Sequence, residues 1–549
     1  MLQGLMMQMP LLISALIEHA DRHHGDAEIV SRRVEGDVHR YTYRELHRRA
    51  RQMANALDRL GIARSDRVAT LAWNGHRHME LYFAVSGAGS VLHTINPRLH
   101  PEQIAWIVNH AEDRALFFDL TFLPLIEAVA PVCKTVKHWV LLTDRAHMPA
   151  KESTKLELLC YEDLIDAESD RFTWPQFDEN TASSICYTSG TTGNPKGALY
   201  SHRSTLLHTM ASALPDALSI SARDVILPVV PMFHVNAWGL PYVAPMAGAK
   251  IVFPGPHMDG KSLFELFESE GVTFSAGVPT VWQGLLAHME ANDLKFSTMN
   301  RTVIGGSACA PAMIKLFQEK YGVHVLHAWG MTEMSPLGTA CTFKHKHTGM
   351  KPEQRLPVQH KQGRALFGVD MKIVGDDGRD LPWDGVAFGN LLVRGPWVAR
   401  DYYNSGERSP LVNDEQGKSW FPTGDVSNID SDGYMQITDR TKDVIKSGGE
   451  WISSIEIENI AVAHPAVAMA ACIAAVHPKW DERPLLVVVR KPNSSVTREE
   501  LLTHYEGKVA KWQIPDDVAF VESLPLGATG KILKSKLREQ FREYRLPTV

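Results

Sequence analysis

The stretch that best indicates the fold is residues 187–197, YTSGTTGNPKG. It contains three glycines, four serine or threonine hydroxyls and one lysine, Lys196. Glycines let a backbone turn tightly and bring its N–H groups close to an anion, while hydroxyls and a lysine add further donors. Apolar runs at 184–186 and 198–200 flank the stretch, so we predict a phosphate-binding loop between two β-strands. A mobile surface turn of small residues is the alternative that composition alone leaves open.

Composition restricts the class of protein. The chain has 549 residues, of which 44% are apolar and 22% charged, as in globular proteins with two to four packing units. Its net charge of -6 gives no electrostatic footprint for nucleic acid. Six scattered cysteines form no C-x-x-C pair, which predicts a reduced, cytoplasmic protein without structural zinc.

The amino terminus, MLQGLMMQMPLLISALIEHA, is apolar but has no lysine or arginine before its hydrophobic part. A signal peptide needs such a basic region, and the run is too short to span a bilayer. We therefore predict that this segment is an amphipathic first helix. Elsewhere no run approaches the ~18 apolar residues of a membrane span, which predicts no integral membrane association.

Strand-like and helical patterns alternate along most of the chain. A β-rich run at 67–74 precedes a helical pattern at 79–85, and the same order recurs at 184–189 with 204–213 and at 224–230 with 237–246. Strands separated by helices predict α/β layers with largely parallel sheets. The fold class expected is a large amino-terminal domain of layered α/β subdomains.

The end of the chain predicts a second, smaller α+β domain. Capping-box patterns begin at Ser453 and Thr497, and strand-like runs lie between them at 469–476 and 485–490. The boundary falls in the charged segment 439–443 and has no glycine- or serine-rich linker. We therefore predict domains 1–438 and 439–549, the smaller one mobile about a hinge at Asp439.

Five further motifs accompany the opening stretch. They are GGSAC at 305–309, WGMTE at 329–333, FPTGD at 421–425, DRTKDVIKSGGEW at 439–451 and PLGATGK at 525–531. In this order the six motifs resemble those of the adenylate-forming (AMP-binding) superfamily, which includes acyl-CoA synthetases, luciferases and the adenylation domains of peptide synthetases. The resemblance covers nearly the whole chain. It is strongest to bacterial medium- and long-chain fatty-acid:CoA ligases and to 3-(methylthio)propionyl-CoA ligases.

The resemblance implies a site for ATP and AMP. The residues that it assigns to the nucleotide are Thr188, Ser189, Gly190, Thr191, Thr192, Gly193, Lys196, Gly306, Ser307, Ala308, His327, Ala328, Trp329, Gly330, Met331, Thr332, Asp425, Arg440, Lys442, Lys446 and Lys531. Trp329, where the family more often has tyrosine, would stack on adenine, and Asp425 would accept both ribose hydroxyls. Pro422 replaces the family's usual basic residue.

The same resemblance implies the catalytic groups and the metal. Lys531 would reach the acyl carboxylate and the α-phosphate, where a cation stabilises the charge that shifts between them. Glu333 and the Thr188 hydroxyl would hold Mg²⁺, which prefers oxygen ligands and few of them from protein. With His234 beside the acyl carboxylate, the predicted catalytic residues are Lys531, His234 and Glu333.

The acid that is activated should depend on residues 231–239, PMFHVNAWG. The resemblance implies an acyl pocket of His234, Val235, Trp238, Gly306 and Gly330, with Trp238 as a gate. Acetyl-specific synthetases have tryptophan at the position of Gly330, so glycine predicts a longer, medium-chain acid. The alternative acid is 3-(methylthio)propionate, roughly isosteric with a short fatty acid, and an apolar pocket separates such acids weakly. An inactive adenylate-binding scaffold is the alternative from another class.

The hinge motif implies the second half of the reaction. Asp439 would be the pivot, and the small domain would turn to form a CoA channel from Lys446, Ser447, Gly448, Gly449, Glu450 and Trp451. The reaction implied joins a small carboxylic acid to ATP, releases pyrophosphate, and passes the acyl group to CoA. A homodimer is expected from the bacterial relatives alone.

A competing motif lies at 255–262, GPHMDGKS, which has the spacing of a Walker A loop between a strand and a helix. Pro256 removes one of the N–H groups that would cradle phosphate, so we favour the loop at 187–197.

We expect Lys531→Ala to lower pyrophosphate release about 10²–10³-fold, as the loss of one transition-state donor does. Lys261→Ala, in the competing motif, serves as the matched control and should leave the rate within about twofold of the parent. A pyrophosphate-release assay with acid and ATP measures both, and the reverse order of effects would refute the assignment.

Overall fold

The computed structural model describes residues 1–188, 194–448, 450–527 and 531–549. Within these ranges the helices are α1 (Ile13–His24), α2 (Tyr43–Arg59), α3 (His76–Gly87), α4 (Pro101–Ala111), α5 (Leu123–Val129), α6 (Tyr161–Asp166), α7 (His202–Ala213), α8 (Leu240–Ala247), α9 (Gly260–Glu270), α10 (Pro279–Ala291), α11 (Pro311–Tyr321), α12 (Pro352–Gln359), α13 (Ser454–Val462), α14 (Arg498–His504) and α15 (Lys534–Gln540).

The strands in the same ranges are β1 (Glu28–Arg32), β2 (Val38–Thr42), β3 (Arg67–Leu71), β4 (Val91–Thr94), β5 (Asp113–Phe118), β6 (His138–Leu141), β7 (Leu158–Cys160), β8 (Ala182–Tyr187), β9 (Gly197–Ser201), β10 (Val225–Pro228), β11 (Lys250–Phe253), β12 (Phe274–Gly277), β13 (Arg301–Ile304), β14 (His324–Gly330), β15 (Leu337–Ala340), β16 (Arg364–Ala365), β17 (Asp370–Val374), β18 (Phe388–Arg394), β19 (Val412–Asn413), β20 (Ser419–Ile429), β21 (Met435–Arg440), β22 (Ile445–Ser447), β23 (Glu450–Ile452), β24 (Val467–His477), β25 (Asp481–Arg490) and β26 (Asp517–Phe520).

Two large sheets organise the first part of the chain. One has the strand order β7-β6-β5-β3-β4-β8-β9 and is parallel except for β9. The other runs β16-β15-β14-β13-β12-β10-β11-β1-β2, with a parallel centre and antiparallel strands at both edges. Apolar side chains of both sheets, such as Val68 and Ile226, belong to one continuous core. The sheets therefore pack as one body.

Two smaller sheets complete the chain. The third sheet is antiparallel and consists of β17, β18, β20, β19 and β21. Its last strand in the sequence, β21, contains Asp439. The fourth sheet contains β22 to β26 and is covered by α13, α14 and α15 around its own apolar core. The predicted α/β class, with a large amino-terminal domain and a small carboxy-terminal one, is confirmed.

Local sequence signals account for many boundaries. The strand-like runs predicted at 469–476 and 485–490 lie within β24 and β25, and the hydroxyls of Ser453 and Thr497 accept N–H bonds at the starts of α13 and α14. The prediction for the amino terminus was only partly right, because α1 begins at Ile13 and residues 1–9 are exposed and not helical. Pro10 explains the difference, since it lacks an N–H and disfavours helix in the residue before it.

Two further observations bear on the sequence analysis. All six cysteines are buried with no disulfide between them. No helix among the described residues is both long and apolar enough to cross a membrane.

The buried histidines predict how stability depends on pH. Burial lowers the pKa of His78 and His202 to about 4 and that of His208 to about 3. In the unfolded chain each side chain takes up a proton near pH 6.5, which the folded state resists. Stability is therefore full above pH 6.5 and falls as the pH drops towards 4, by roughly 2 kcal/mol for each histidine at pH 5.

Urea unfolding at pH 5, 6, 7 and 8 measures this effect, and the midpoint should fall steeply below pH 6.5. An unfolding midpoint that is equal at pH 5 and pH 7 would contradict the assignment of these histidines as neutral in the folded protein.

Candidate functional site

The predicted phosphate-binding loop joins β8 to β9 at the edge of the first sheet. Tyr187 pairs with Gly197 in this hairpin, and the N–H of Thr188 donates to the Lys196 carbonyl at 2.9 Å. The N–H of Lys196 donates back to the Thr188 hydroxyl at 3.2 Å. These bonds fix both ends of the loop. Five predicted nucleotide-binding residues, Ser189, Gly190, Thr191, Thr192 and Gly193, lie outside the described residues.

Thr188 opens into a cavity of about 280 Å³ where both large sheets, the third sheet and the small domain meet. The predicted site residues that line it are Thr188, His234, Val235, Trp238, Gly306, Ala328, Trp329, Gly330, Met331, Thr332, Glu333, Arg440 and Lys531. They come from sequence positions more than 300 apart, yet they share one cavity. The cavity has a charged end and an apolar end.

Asp425 lies beside the charged end and contacts two residues that line it, Trp329 and Arg440. Its carboxylate is buried, Oδ2 accepts the indole N–H of Trp329 at 2.8 Å, and Nε of Arg440 lies 2.7 Å from Oδ1. A carboxylate can accept about four hydrogen bonds, so acceptor positions remain for a diol. Trp329, which replaces the family's tyrosine, therefore orients Asp425, the residue predicted to bind the ribose hydroxyls.

Glu333 is a second buried carboxylate at this end. Its Oε1 accepts the hydroxyl of Tyr402 at 2.6 Å, and burial raises the pKa of Glu333. A nearby cation would offset this desolvation. Glu333 and Thr188 line the same cavity and offer oxygen ligands, so these residues fit Mg²⁺.

Lys531 enters the cavity from the small domain. Burial and, to a lesser extent, the positive charge of Arg440 lower the pKa of Lys531 to about 8, while Asp425 and Glu333 oppose the shift. Two cations and two carboxylates therefore influence one another at this end of the cavity. Strongly shifted ionisable groups in a cleft are typical of active sites.

The other end of the cavity is apolar. Its wall consists of aliphatic side chains and proline, namely Leu218, Val235, Leu240, Ala276, Val303, Pro336 and Leu337. His234 lies between the two ends, and burial lowers its pKa to about 4, with Lys531 adding to the shift. The imidazole is therefore neutral at pH 7 and can donate one N–H to an anion without carrying charge.

Three glycines fix the width of this end. A methyl group at Gly305 would lie 3.3 Å from Cη2 of Trp238, and one at Gly306 would lie 3.6 Å from Cζ2 of the same ring. At Gly330 a methyl group would lie 2.2 Å from the carbonyl oxygen of Pro336. Backbone packing thus requires glycine at position 330. Glycine at this position therefore has a structural explanation in addition to the predicted one, which is space for a longer acid.

A larger cleft of about 1050 Å³ separates the small domain from the large one. Predicted nucleotide-site residues Ser307, Ala308, Asp425 and Lys442 line it, together with Trp329, Arg440 and Lys531, which border both spaces. The cleft therefore leads from solvent to the charged end of the smaller cavity.

The predicted pivot, Asp439, is tied to the small domain. Its Oδ2 accepts the N–H of Ser454 at 2.6 Å and its Oδ1 accepts the Ser454 hydroxyl at 2.9 Å. Lys534, three residues after Lys531, donates to the same hydroxyl at 2.6 Å and pairs with Glu458 at 2.7 Å. This network links the last residues of the third sheet to the loop that carries Lys531.

Some predicted residues lie elsewhere. His327 is buried behind β14, where its ring accepts the N–H of Cys309 at 3.3 Å and contacts the carbonyl of His360, and it lines neither cavity. Lys196 pairs with Glu407 at 2.6 Å.

The predicted CoA-channel turn also lies away from both cavities. Among its described residues, Lys446, Ser447, Gly448, Glu450 and Trp451, none lines either space. Lys446 lies over the ring of Trp451, and Gly448, at φ +60°, donates its N–H to Trp480 at 2.8 Å. Gly449 lies outside the described residues.

The Walker A-like segment begins an ordinary surface helix. Asp259 caps α9 by accepting the N–H of Ser262 at 3.0 Å, and Lys261 is exposed, with its nearest acid, Glu265, at 3.9 Å. Lys261 lines neither cavity.

Sequence reasoning missed several contacts. Tyr402 lies 69 positions from the carboxylate that it contacts, and no local pattern marks it. The apolar wall is contributed by several elements distant in sequence, so only packing reveals it. Asn236 was inside a quoted motif but had no role assigned.

Comparison with known proteins identifies the family. The model of the AMP-binding enzyme family matches residues 16–403, and that of the AMP-binding enzyme C-terminal domain matches residues 456–531. The chain therefore belongs to the AMP-binding enzyme family.

Several members of this family with known names are similar over nearly their whole length. The chain is 56% identical over 540 residues to the 3-methylmercaptopropionyl-CoA ligase of Ruegeria lacuscaerulensis, covering 98% of this chain and 99% of that protein. It is 54% identical over 544 residues to the medium-chain-fatty-acid–CoA ligase of Ectopseudomonas oleovorans, covering 99% and 98%. Among solved structures, the anthranilate CoA ligase AuaEII with anthranoyl-AMP matches with a TM-score of 0.84 at 25% identity, covering 96% and 97%.

The lowered pKa of Lys531 predicts that activity decreases at alkaline pH. The cation exists below about pH 8, so kcat/KM for acid-dependent pyrophosphate release should fall as the pH rises through 8. Lys531→Arg keeps a cation throughout this range because a guanidinium has a pKa above ~12. The variant should be slower but should lose the alkaline limb between pH 7.5 and 9.5. An unchanged limb in Lys531→Arg would assign it to another group.

Proposed function

We propose that this protein is an AMP-forming acyl-CoA ligase for a short- to medium-chain apolar carboxylic acid. The observation that carries the proposal is the two-ended cavity, in which Lys531, Glu333 and Thr188 stand at one end and aliphatic side chains at the other. A carboxylate placed beside His234 would have its tail among apolar side chains and its head towards the phosphate loop. The named relatives, which include acyl-CoA ligases for both candidate acids, support the class of reaction.

In the first step the acid's carboxylate oxygen bonds to the α-phosphorus of ATP, and the bond to pyrophosphate breaks. Lys531 donates to oxygens whose negative charge shifts between carboxylate and phosphate, and the neutral His234 orients the acid. Asp425 accepts the ribose hydroxyls. Thr188 and Glu333 would hold Mg²⁺, which supplies charge neutralisation on the phosphates.

In the second step the CoA thiolate attacks the acyl carbon of the adenylate, AMP leaves, and the thiol proton passes to solvent. The described residues of the turn, 446–448 and 450–451, do not line the cavity, which supports a rotation of the small domain about Asp439 before this step. Rotation would withdraw Lys531 and bring Gly448 towards the adenylate. Such closure also shields a hydrolysable intermediate from water.

The acid itself is either a fatty acid or 3-(methylthio)propionate. The aliphatic lining residues suit an apolar tail better than that of a dicarboxylic or hydroxy acid. Both candidate acids have tails that suit aliphatic walls. An inactive scaffold would not need a cation with a lowered pKa facing two carboxylates.

A CoA-dependent AMP-release assay across C2–C16 acids and 3-(methylthio)propionate tests the proposal. Each methylene in an apolar pocket contributes ~1–3 kcal/mol, so hexanoate should exceed acetate more than about tenfold in kcat/KM. The 3-(methylthio)propionate value should lie within about tenfold of pentanoate, its near isostere. A thioether preference above ~100-fold would establish the alternative acid, a preference for acetate would refute the pocket assignment, and no AMP release with any acid would favour the scaffold.

A further inference from the structure

Residues 235–239 form a left-handed turn. Their φ angles are 40° at Val235, 53° at Asn236, 48° at Ala237, 56° at Trp238 and 82° at Gly239. L-residues usually enter this region one at a time and mostly as asparagine or glycine, because the Cβ crowds the following carbonyl. A run that includes a β-branched valine is strained. Strain of this kind persists only where the surrounding structure enforces it, and it concentrates at functional sites.

The side chain of Asn236 is what holds the turn. It is buried, and its Nδ2 donates to the Ser184 hydroxyl at 3.1 Å. Its Oδ1 accepts from the Cys186 thiol at 3.5 Å and lies 3.3 Å from the hydroxyl of Tyr82. That hydroxyl also donates to the carbonyl of Met232 at 2.6 Å, just before the turn.

These partners connect the two halves of the cavity. Ser184 and Cys186 lie on β8, the strand that ends at Tyr187, directly before Thr188 and the phosphate loop. The turn itself carries Trp238 and directly follows His234, which border the acid end. The Asn236 amide therefore supplies a polar link between the element that positions ATP and the element that positions the acid, beside the apolar contacts of Val235 and Trp238.

We propose that Asn236 is a positioning residue that sets the register between the acid's carboxylate and the α-phosphate of ATP. It touches neither substrate and acts through the turn and through β8. The inference rests on the proposed ligase function and deepens it. A displacement of about 1 Å between two reacting groups can slow a reaction about 10²-fold, so this tether should matter for the step that joins the substrates.

The same tether should matter little for the second step. Once acyl group and AMP are covalently joined in the adenylate, the protein no longer has to hold them in register. Loss of Asn236 should therefore slow adenylate formation and spare thioester formation, whereas general damage to the fold would slow both.

The experiment uses Asn236→Gly, because glycine tolerates positive φ and so removes the amide without adding strain. Acid-dependent ATP–pyrophosphate exchange measures the first step, and CoA thioester formation from presynthesised acyl-adenylate measures the second. Exchange kcat should fall about 10–100-fold, while the KM for ATP and the rate of the second step stay within about threefold. Asn493→Gly is the matched control, since Asn493 also has positive φ (61°) and is exposed in the small domain.

Ser184→Ala cuts the same tether from the β8 side and should lower exchange in the same direction. The double variant should be no slower than Asn236→Gly alone, because both changes remove one interaction. Equal losses in both steps, or no loss in either, would overturn the inference. A parent enzyme without acid-dependent exchange would instead refute the proposed function, so the two failures are distinguishable.

Discussion

Two cations and two carboxylates lie together where the smaller cavity meets the cleft between the domains, and this electrostatic balance governs the site. Asp425 and Glu333 are buried, and Arg440 and Lys531 supply the charges that offset them. Removing either cation leaves the buried carboxylates with less compensation for their desolvation, which is costly. The sheet that contains β14, the third sheet and the small domain must therefore be placed accurately, because each contributes a member of this set or the residue that orients it.

Sequence reasoning was most successful where chemistry is local. The glycine-rich loop between β8 and β9, strands β24 and β25 and the helix starts at Ser453 and Thr497 each depend on residues within a few positions of one another. The amino-terminal run was harder, since its apolar composition favoured a helix but Pro10 delays that helix until Ile13. Composition describes a segment's preference, and single backbone constraints decide where it begins.

The sequence motifs predicted which residues form the site, but they did not predict which of these residues contact one another. Resemblance pointed to Asp425, Glu333 and Lys531, and these residues do meet in one cavity or at its border. It did not indicate that Trp329 donates to Asp425 or that Tyr402 donates to Glu333, because these pairs are joined only by tertiary packing. The resemblance also assigned His327 to the nucleotide, but the side chain of His327 accepts the N–H of Cys309 and lines neither cavity. The aliphatic wall is likewise a property of the assembled sheets.

The buried thiols have a consequence for an enzyme whose intermediate acylates thiols. Cys186 lies on the strand that ends at the phosphate loop, and burial raises its pKa to about 11. At neutral pH only ~1 in 10⁴ of such a thiol is thiolate, the nucleophilic form. The remaining five cysteines are buried as well. The cysteine thiols of this protein therefore do not compete with the incoming CoA for the acyl group.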